Sequence, residues 1–149
     1  MEWLSTQEQA SWRSWLSAVT LLTDRLNRDL LAEHGLSGMD YEILVRLSET
    51  PDRRIRMSDL ADRTLASRSR LSHQIDRMER AGLVERESCA DDRRGAFAVL
   101  TDAGWERLVQ AAPDHVRSVR DHLVDVLTPE EFAALGAACR KIADRLVAH

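Results

Sequence analysis

Between Ser67 and Arg77 the chain concentrates side chains suited to hydrogen bonding: Ser67, Arg68, Ser69, Arg70, Ser72, His73 and Arg77. Leu71, Ile75 and Met78 recur at gaps of three and four, so the stretch reads as a helix with an apolar side. The polar residues then share the opposite side, with Asp76 among them. Short hydroxyls near a helix start, followed by arginines that reach guanine edges or phosphates, suit a helix lying in a DNA major groove. The same pattern also suits a solvated, charged surface helix. What surrounds the helix must separate the two readings.

The elements on either side have a definite order. Trp12, Trp15, Leu16, Val19, Leu22, Leu26 and Leu30 trace one helical stripe over Thr6 to Glu33, which Gly35 and Gly38 end. Asp40 to Ser48 repeats the pattern and stops before Pro51, and Asp52-Arg53-Arg54 reads as an exposed connection. Ser58 is expected to cap a short helix over Asp59 to Leu65, with the turn at Ala66. Ser67 caps the next helix, which Gly82 closes. Leu83 to Ser88 and Ala96 to Leu100 read as two strands joined by a loop from Cys89 to Gly95. Thr101 caps a long helix through Leu123 and Val126, which Pro113 is expected to interrupt with a kink near Ala112. Thr128-Pro129-Glu130-Glu131 is a capping box opening a final helix, whose stripe includes Phe132, Leu135, Cys139, Ile142 and Leu146. The class is mainly α with a small β-hairpin wing. Short helix, turn, longer helix and hairpin make the winged helix-turn-helix plan.

Charge follows the same division. The net formal charge is −4, but Arg53 to Arg94 holds eleven arginines against eight acids. That window is therefore +3 and the remainder −7, a basic middle inside an acidic chain.

The block from Leu60 to Arg86, followed by Asp91-Asp92-Arg93-Arg94-Gly95 and Leu100-Thr101-x-x-Gly104, resembles the MarR family of transcription regulators. The resemblance runs over essentially the whole chain, 1–149, and implies a bacterial, ligand-responsive repressor that binds a pseudo-palindromic operator in double-stranded DNA as a homodimer. It implies a DNA-binding lobe over 39–100 and dimerisation helices over 6–34 and 101–147. The helix from Ser67 to Arg77 would then enter the major groove, and Arg93 and Arg94 would reach the minor groove at the wing tip. The alternative for Asp92-Arg93 is an ion pair that holds the loop. Many helix-turn-helix turns carry glycine where this chain has Leu65. The apolar stripes of the two chain ends exceed what a winged helix needs for its own core, which suits packing across a two-fold axis.

The resemblance also implies a small aromatic or anionic effector. Its candidate contacts are Trp12, Trp15, His34, Tyr41 and His115, although both tryptophans lie on the apolar stripe and suit core or dimer contacts better. Two other readings belong to different classes: an oxidation-responsive regulator acting through an exposed Cys89, and a winged helix that binds protein and not DNA. Cys139, on an apolar stripe, is expected to be buried. His115 and His122 are seven apart, a spacing that does not make a zinc site, and neither a metal nor a cofactor is expected. No nucleophile elbow, phosphate loop or convergent carboxylate pair points to an enzyme. The N-terminal residues lack the pattern of a signal peptide, so a cytoplasmic location is expected.

Overall fold

The structure, a computed structural model, describes residues 1–91 and 95–147. Its elements run α1 (Thr6–His34), α2 (Gly38–Ser48), β1 (Arg54–Arg56), α3 (Met57–Thr64), α4 (Arg68–Arg80), β2 (Val84–Ser88), β3 (Ala96–Leu100), α5 (Asp102–His122) and α6 (Pro129–Val147), with a 3-10 turn at Val124–Val126. The chain divides into two compact units, Asn27–Pro113 and the joined ends Met1–Leu26 with Asp114–His149.

The central unit has an apolar core to which each element contributes. Ile43, Leu44 and Leu47 of α2, Leu60 of α3, and Leu71, Ile75 and Met78 of α4 are all buried, with Val84 and Ala98 from the strands. The strands form one antiparallel sheet in the order β1-β3-β2. Ile55, Ala98 and Arg86 share one row of the register, and Arg56, Phe97 and Glu87 the next. Alternation therefore turns Ile55, Ala98, Val84 and Leu100 toward the core and Arg54, Arg56, Phe97 and Val99 to the other face.

Strand β1 departs from the sequence reading, which gave only a hairpin and an exposed connection here. Its Arg-Ile-Arg run has a single apolar residue, too short for a period to register, and pairing with β3 creates the strand. The start of α3 moves for the same reason. The chain enters it straight from β1, so the helix begins at Met57 with Arg56 at the N-cap, and Ser58 is not the cap. The caps at Ser67, Thr101 and Thr128 do form. Ser67 Oγ accepts from Arg70 N at 3.1 Å and Thr101 Oγ1 from Gly104 N at 3.0 Å. Thr128 and Glu131 exchange both bonds of a capping box. A further box, Ser37 with Asp40, opens α2.

The α3–α4 turn pivots on Leu65, not Ala66. Leu65 has φ 54°, in the left-handed region, and is 86% exposed. Its N–H bonds back to α3 and Ala66 N donates to Ala61 O at 3.1 Å, which closes the helix end. A leucine there bears the steric cost that glycine avoids and gains little packing in exchange. Leu65→Gly is therefore expected to stabilise the protein by roughly 1 kcal/mol, read as a higher urea midpoint at unchanged m-value.

Helix α5 is unbroken through Pro113, contrary to the expected interruption. Pro113 withholds an N–H from the turn at Val109, and both residues are exposed, so water can serve that carbonyl. The helix ends at His122, before Leu123 and Val126. In the unit formed by the chain ends, the first twenty residues are all exposed and α6 has no buried residue. Cys139 is only half-buried there, where the stripe predicted burial. Packing within one chain leaves these stripes largely uncovered.

Candidate nucleic-acid interface

Helix α4 divides cleanly. Leu71, Gln74, Ile75 and Met78 are buried, while Ser67, Arg68, Ser69, Arg70, His73 and Arg77 are exposed and Ser72 is half-buried. The polar side read from the sequence is thus brought together on one surface of the central unit.

Two ties set this helix, and neither was read from the sequence. The first is Gln74, which is 5% exposed. Its amide nitrogen donates to Asp40 Oδ1 and contacts Ser37 Oγ at 3.5 Å, joining α4 to the capping box of α2. Its Oε1 accepts from Arg77 Nη2 and so orients an exposed arginine from below. The second is Arg86 of β2. Its Nη2 donates to both the carbonyl and the hydroxyl of Ser72 at 3.0 Å, and its Nη1 to Asp76 Oδ1. The Arg86 backbone N–H also donates to Glu79 Oε2 at 2.8 Å. The hydrogen bond from Arg86 is the main cause holding the Asp76 carboxyl below its usual pKa, against a smaller opposing effect of desolvation. Asp76 and the Ser72 hydroxyl are therefore engaged with the wing strand as well as flanking the polar surface.

Each tie had a sequence signal that periodicity alone passes over. Gln74 is the polar member of α4's inward stripe, and Arg86 occupies an inward position of β2. A buried polar group must find a partner, and here that partner lies on another element.

Beside α4 lies a cleft of about 560 Å³, lined by Arg56, Ser58, Arg68, Ser72, Arg86 and Gly95 among others. Arg54 and Arg56 stack on Phe97, at 4.1 and 5.5 Å from the ring centroid, and Arg53 on Trp105 at 4.7 Å. Arg54 also pairs with Glu87 at 3.5 Å.

At the wing, Arg93 and Arg94 lie outside the described residues. Cys89 is buried, 8% exposed, with its N–H on Gly95 O at 3.1 Å. This corrects the exposed position expected from its place at the wing edge. Cys89 is expected to alkylate at least tenfold more slowly in the native protein than in urea, by mass spectrometry, because reagent access requires opening of the wing.

The five candidate effector contacts are split between the units. Trp12, Trp15 and His115 belong to the chain ends, where Trp12 is 52% and Trp15 39% exposed, and His115 is half-buried. His34 and Tyr41 belong to the central unit. The His34 carbonyl accepts from Arg107 Nη2, and Tyr41 packs against the core, where burial raises its phenol pKa. Among the described residues no helix is long and apolar enough to cross a membrane.

Comparison with known proteins places these features in a wider set. A family model described as MarR family matches residues 34–95. The crystal structure of AbsC, a MarR family transcriptional regulator from Streptomyces coelicolor, is 52% identical, covers all of both chains and superposes with a TM-score of 0.95. Sco3205, a MarR family transcriptional regulator from the same organism solved in complex with DNA, is 46% identical. That match covers 98% of this chain and 91% of Sco3205, with a TM-score of 0.96. The HTH-type transcriptional regulator PecS of Dickeya dadantii is 29% identical over 133 residues, 89% of this chain and 80% of PecS.

Proposed function

The chain belongs to the MarR family of winged helix-turn-helix transcription regulators, and on that premise we propose that it binds double-stranded DNA as a homodimer and represses transcription from a pseudo-palindromic operator. Members of this family are regulators and not enzymes. The observation that carries the reading is the exposed polar surface of α4, fixed from behind by Gln74 and Arg86. A solvated surface helix has no need of such ties. A helix that must match base edges does, because its register has to be set before DNA arrives.

Ser67, Arg68, Ser69, Arg70, Ser72, His73 and Arg77 are the proposed major-groove contacts, and Arg93 and Arg94 the minor-groove contacts at the wing tip. The DNA complex of Sco3205 supports DNA as the partner of a closely similar chain. The lobe over 39–100 carries these contacts, and the segments 6–34 and 101–147 carry dimerisation. Support for the dimer is the apolar surface left on the chain ends, including Trp12, Leu16, Val19, Phe132 and Ile142. A patch of that kind is stable in water when a second copy covers it. Trp12 and Trp15 then serve first as interface residues.

A small aromatic or anionic effector fits the family-level reading, with His34, Tyr41 and His115 as its remaining candidates. The burial of Cys89 counts against the oxidation-responsive alternative. Selection of genomic fragments by the purified protein tests the proposal. An enriched two-fold motif with half-sites about one helical turn apart supports it. A monomer by light scattering at micromolar concentration, or no enrichment of any sequence, counts against it.

A further inference from the structure

The cleft between the start of α4 and the wing has an uneven charge. Arg56, Arg68 and Arg86 line it, with Asp76 as its acid. Arg86 is matched by that acid and by Glu79. Among the described residues neither Arg56 nor Arg68 is paired with a carboxylate. Two arginines therefore line one concave surface with no carboxylate partner among the described residues, alongside the hydroxyl-bearing Ser58 and Ser72. Gathering them costs repulsion, which an anion seated between them would relieve.

Arg56 is prepared for that role. It shares one face of β1 with Arg54, on either side of the inward Ile55, and both stack on Phe97. Stacking restricts the guanidinium without removing its charge or its donors. Arg54 has Glu87 at 3.5 Å as well, so among the described residues the same strand holds one arginine paired with a carboxylate and one without.

We infer that Arg56 and Arg68 grip a single backbone phosphate of the bound duplex in this cleft, which makes Arg56 a phosphate anchor beside the base-reading surface of α4. The inference rests on the DNA-binding reading above. It commits to a DNA phosphate because the lining joins α4, through Arg68 and Ser72, to the wing, through Gly95 and Ala96. A duplex held by both elements brings its backbone across that span. A phosphate contact of this kind adds affinity and register without sequence preference.

The test uses the full chain and its selected operator duplex, with R56A, R56K and R54A compared with the wild type in a salt series and in a scan of single uncharged methylphosphonates along the backbone. Each lost phosphate contact lowers the slope of log affinity against log salt by about 0.9. The affinity ratio of wild type to R56A is thus expected to shrink about threefold per protomer between about 50 and 200 mM salt. R56K keeps the wild-type slope, since the point charge remains, and R54A leaves it unchanged. One methylphosphonate position per half-site should weaken the wild type at least threefold and weaken R56A, which keeps only Arg68 on that phosphate, by clearly less. Thermal melting of each variant separates loss of contact from loss of fold. A wild type with no salt-dependent binding at all overturns the DNA-binding reading itself. A wild type that binds steeply, with R56A equal to it in slope and in methylphosphonate response, overturns this inference alone. So does stabilisation of the free protein by millimolar inorganic phosphate that depends on Arg56 while the DNA slope does not, which would make the occupant a small anion.

Discussion

Gly104→Ala is expected to destabilise the central unit by about 3 kcal/mol, one of the largest effects available to a single methyl group in this chain. A Cβ at Gly104 would run into the carbonyl of Leu83, and would lie 2.7 Å from Leu100 Cδ1. The side chain of Leu100 has little room to retreat, being buried in the core, and the carbonyl has less. Leu83 O accepts from Thr101 N at 3.2 Å, and the neighbouring Gly82 O accepts from Thr101 Oγ1 at 2.7 Å. Thr101 also caps α5 through Gly104 N, so one residue clamps the end of α4 to the start of α5. The Leu-Thr-x-x-Gly pattern that opens α5 is thus a junction between helix and sheet. Its glycine provides close approach, not flexibility, since the residue lies in ordinary helical backbone. Urea denaturation checks the effect: the midpoint should fall with little change in m. A variant that melts within a degree or two of the wild type would show that the junction can open without cost.

Arg86→Met is expected to separate folding from DNA binding. Methionine preserves much of the aliphatic stem but removes both bonds to Ser72 and the pairing with Asp76 and Glu79. Losing one charge-assisted hydrogen bond of the kind made to Ser72 costs about 1.5 kcal/mol, or roughly tenfold in any equilibrium that needs it. Both partners of the Asp76 pair are partly exposed, so solvent screens the unpaired acids and the lobe should remain folded. The α4 surface, though, loses its tie to the wing, and an affinity loss of about tenfold is expected with circular dichroism unchanged. Acid titration adds a signature that simple instability would not give. The folded pKa of Asp76 is depressed by Arg86, so this tie is fully present above the ordinary carboxylate pKa of about 4 and is lost as pH falls through the depressed value. Wild-type stability should therefore contain an acid-sensitive component, below about pH 4, that R86M lacks. An R86M variant with wild-type affinity would mean that α4 is positioned by its packing alone.

How far the sequence reveals this molecule depends on the range of the forces involved. The caps at Ser67, Thr101 and Thr128 obey a local rule, a side-chain oxygen meeting an N–H two or three residues on, and they form where the residues indicate. The α4 stripe is equally local, and its division into polar and apolar sides is legible from spacing. Strand β1 exists through pairing with β3, more than forty residues away, and a three-residue run cannot announce that. Leu65 takes a left-handed conformation that its residue type argues against, because the geometry between α3 and α4 overrides local preference. Gln74 and Arg86 were invisible as functional residues for a related reason: each matters through a partner on another element, Asp40 of α2 and Asp76 of α4. Cys89 sits at a loop edge, where exposure is the local expectation, and its burial depends on tertiary surroundings that the sequence does not display. The five candidate effector residues come from the family resemblance and from residue type, a signal that spacing along the chain does not sharpen.

Helix α4 is proposed to read DNA from a surface held in place by its own lobe. Its most direct test is fluorescence anisotropy of a labelled operator duplex with the wild type and with the R70A/R77A double variant, across a salt series. The wild type should bind with an affinity that falls steeply as salt rises, and the double variant, still folded by thermal melting, should lose its preference for the operator over random duplex. A wild type that ignores the duplex at low salt, or a double variant that retains full preference, would contradict the account.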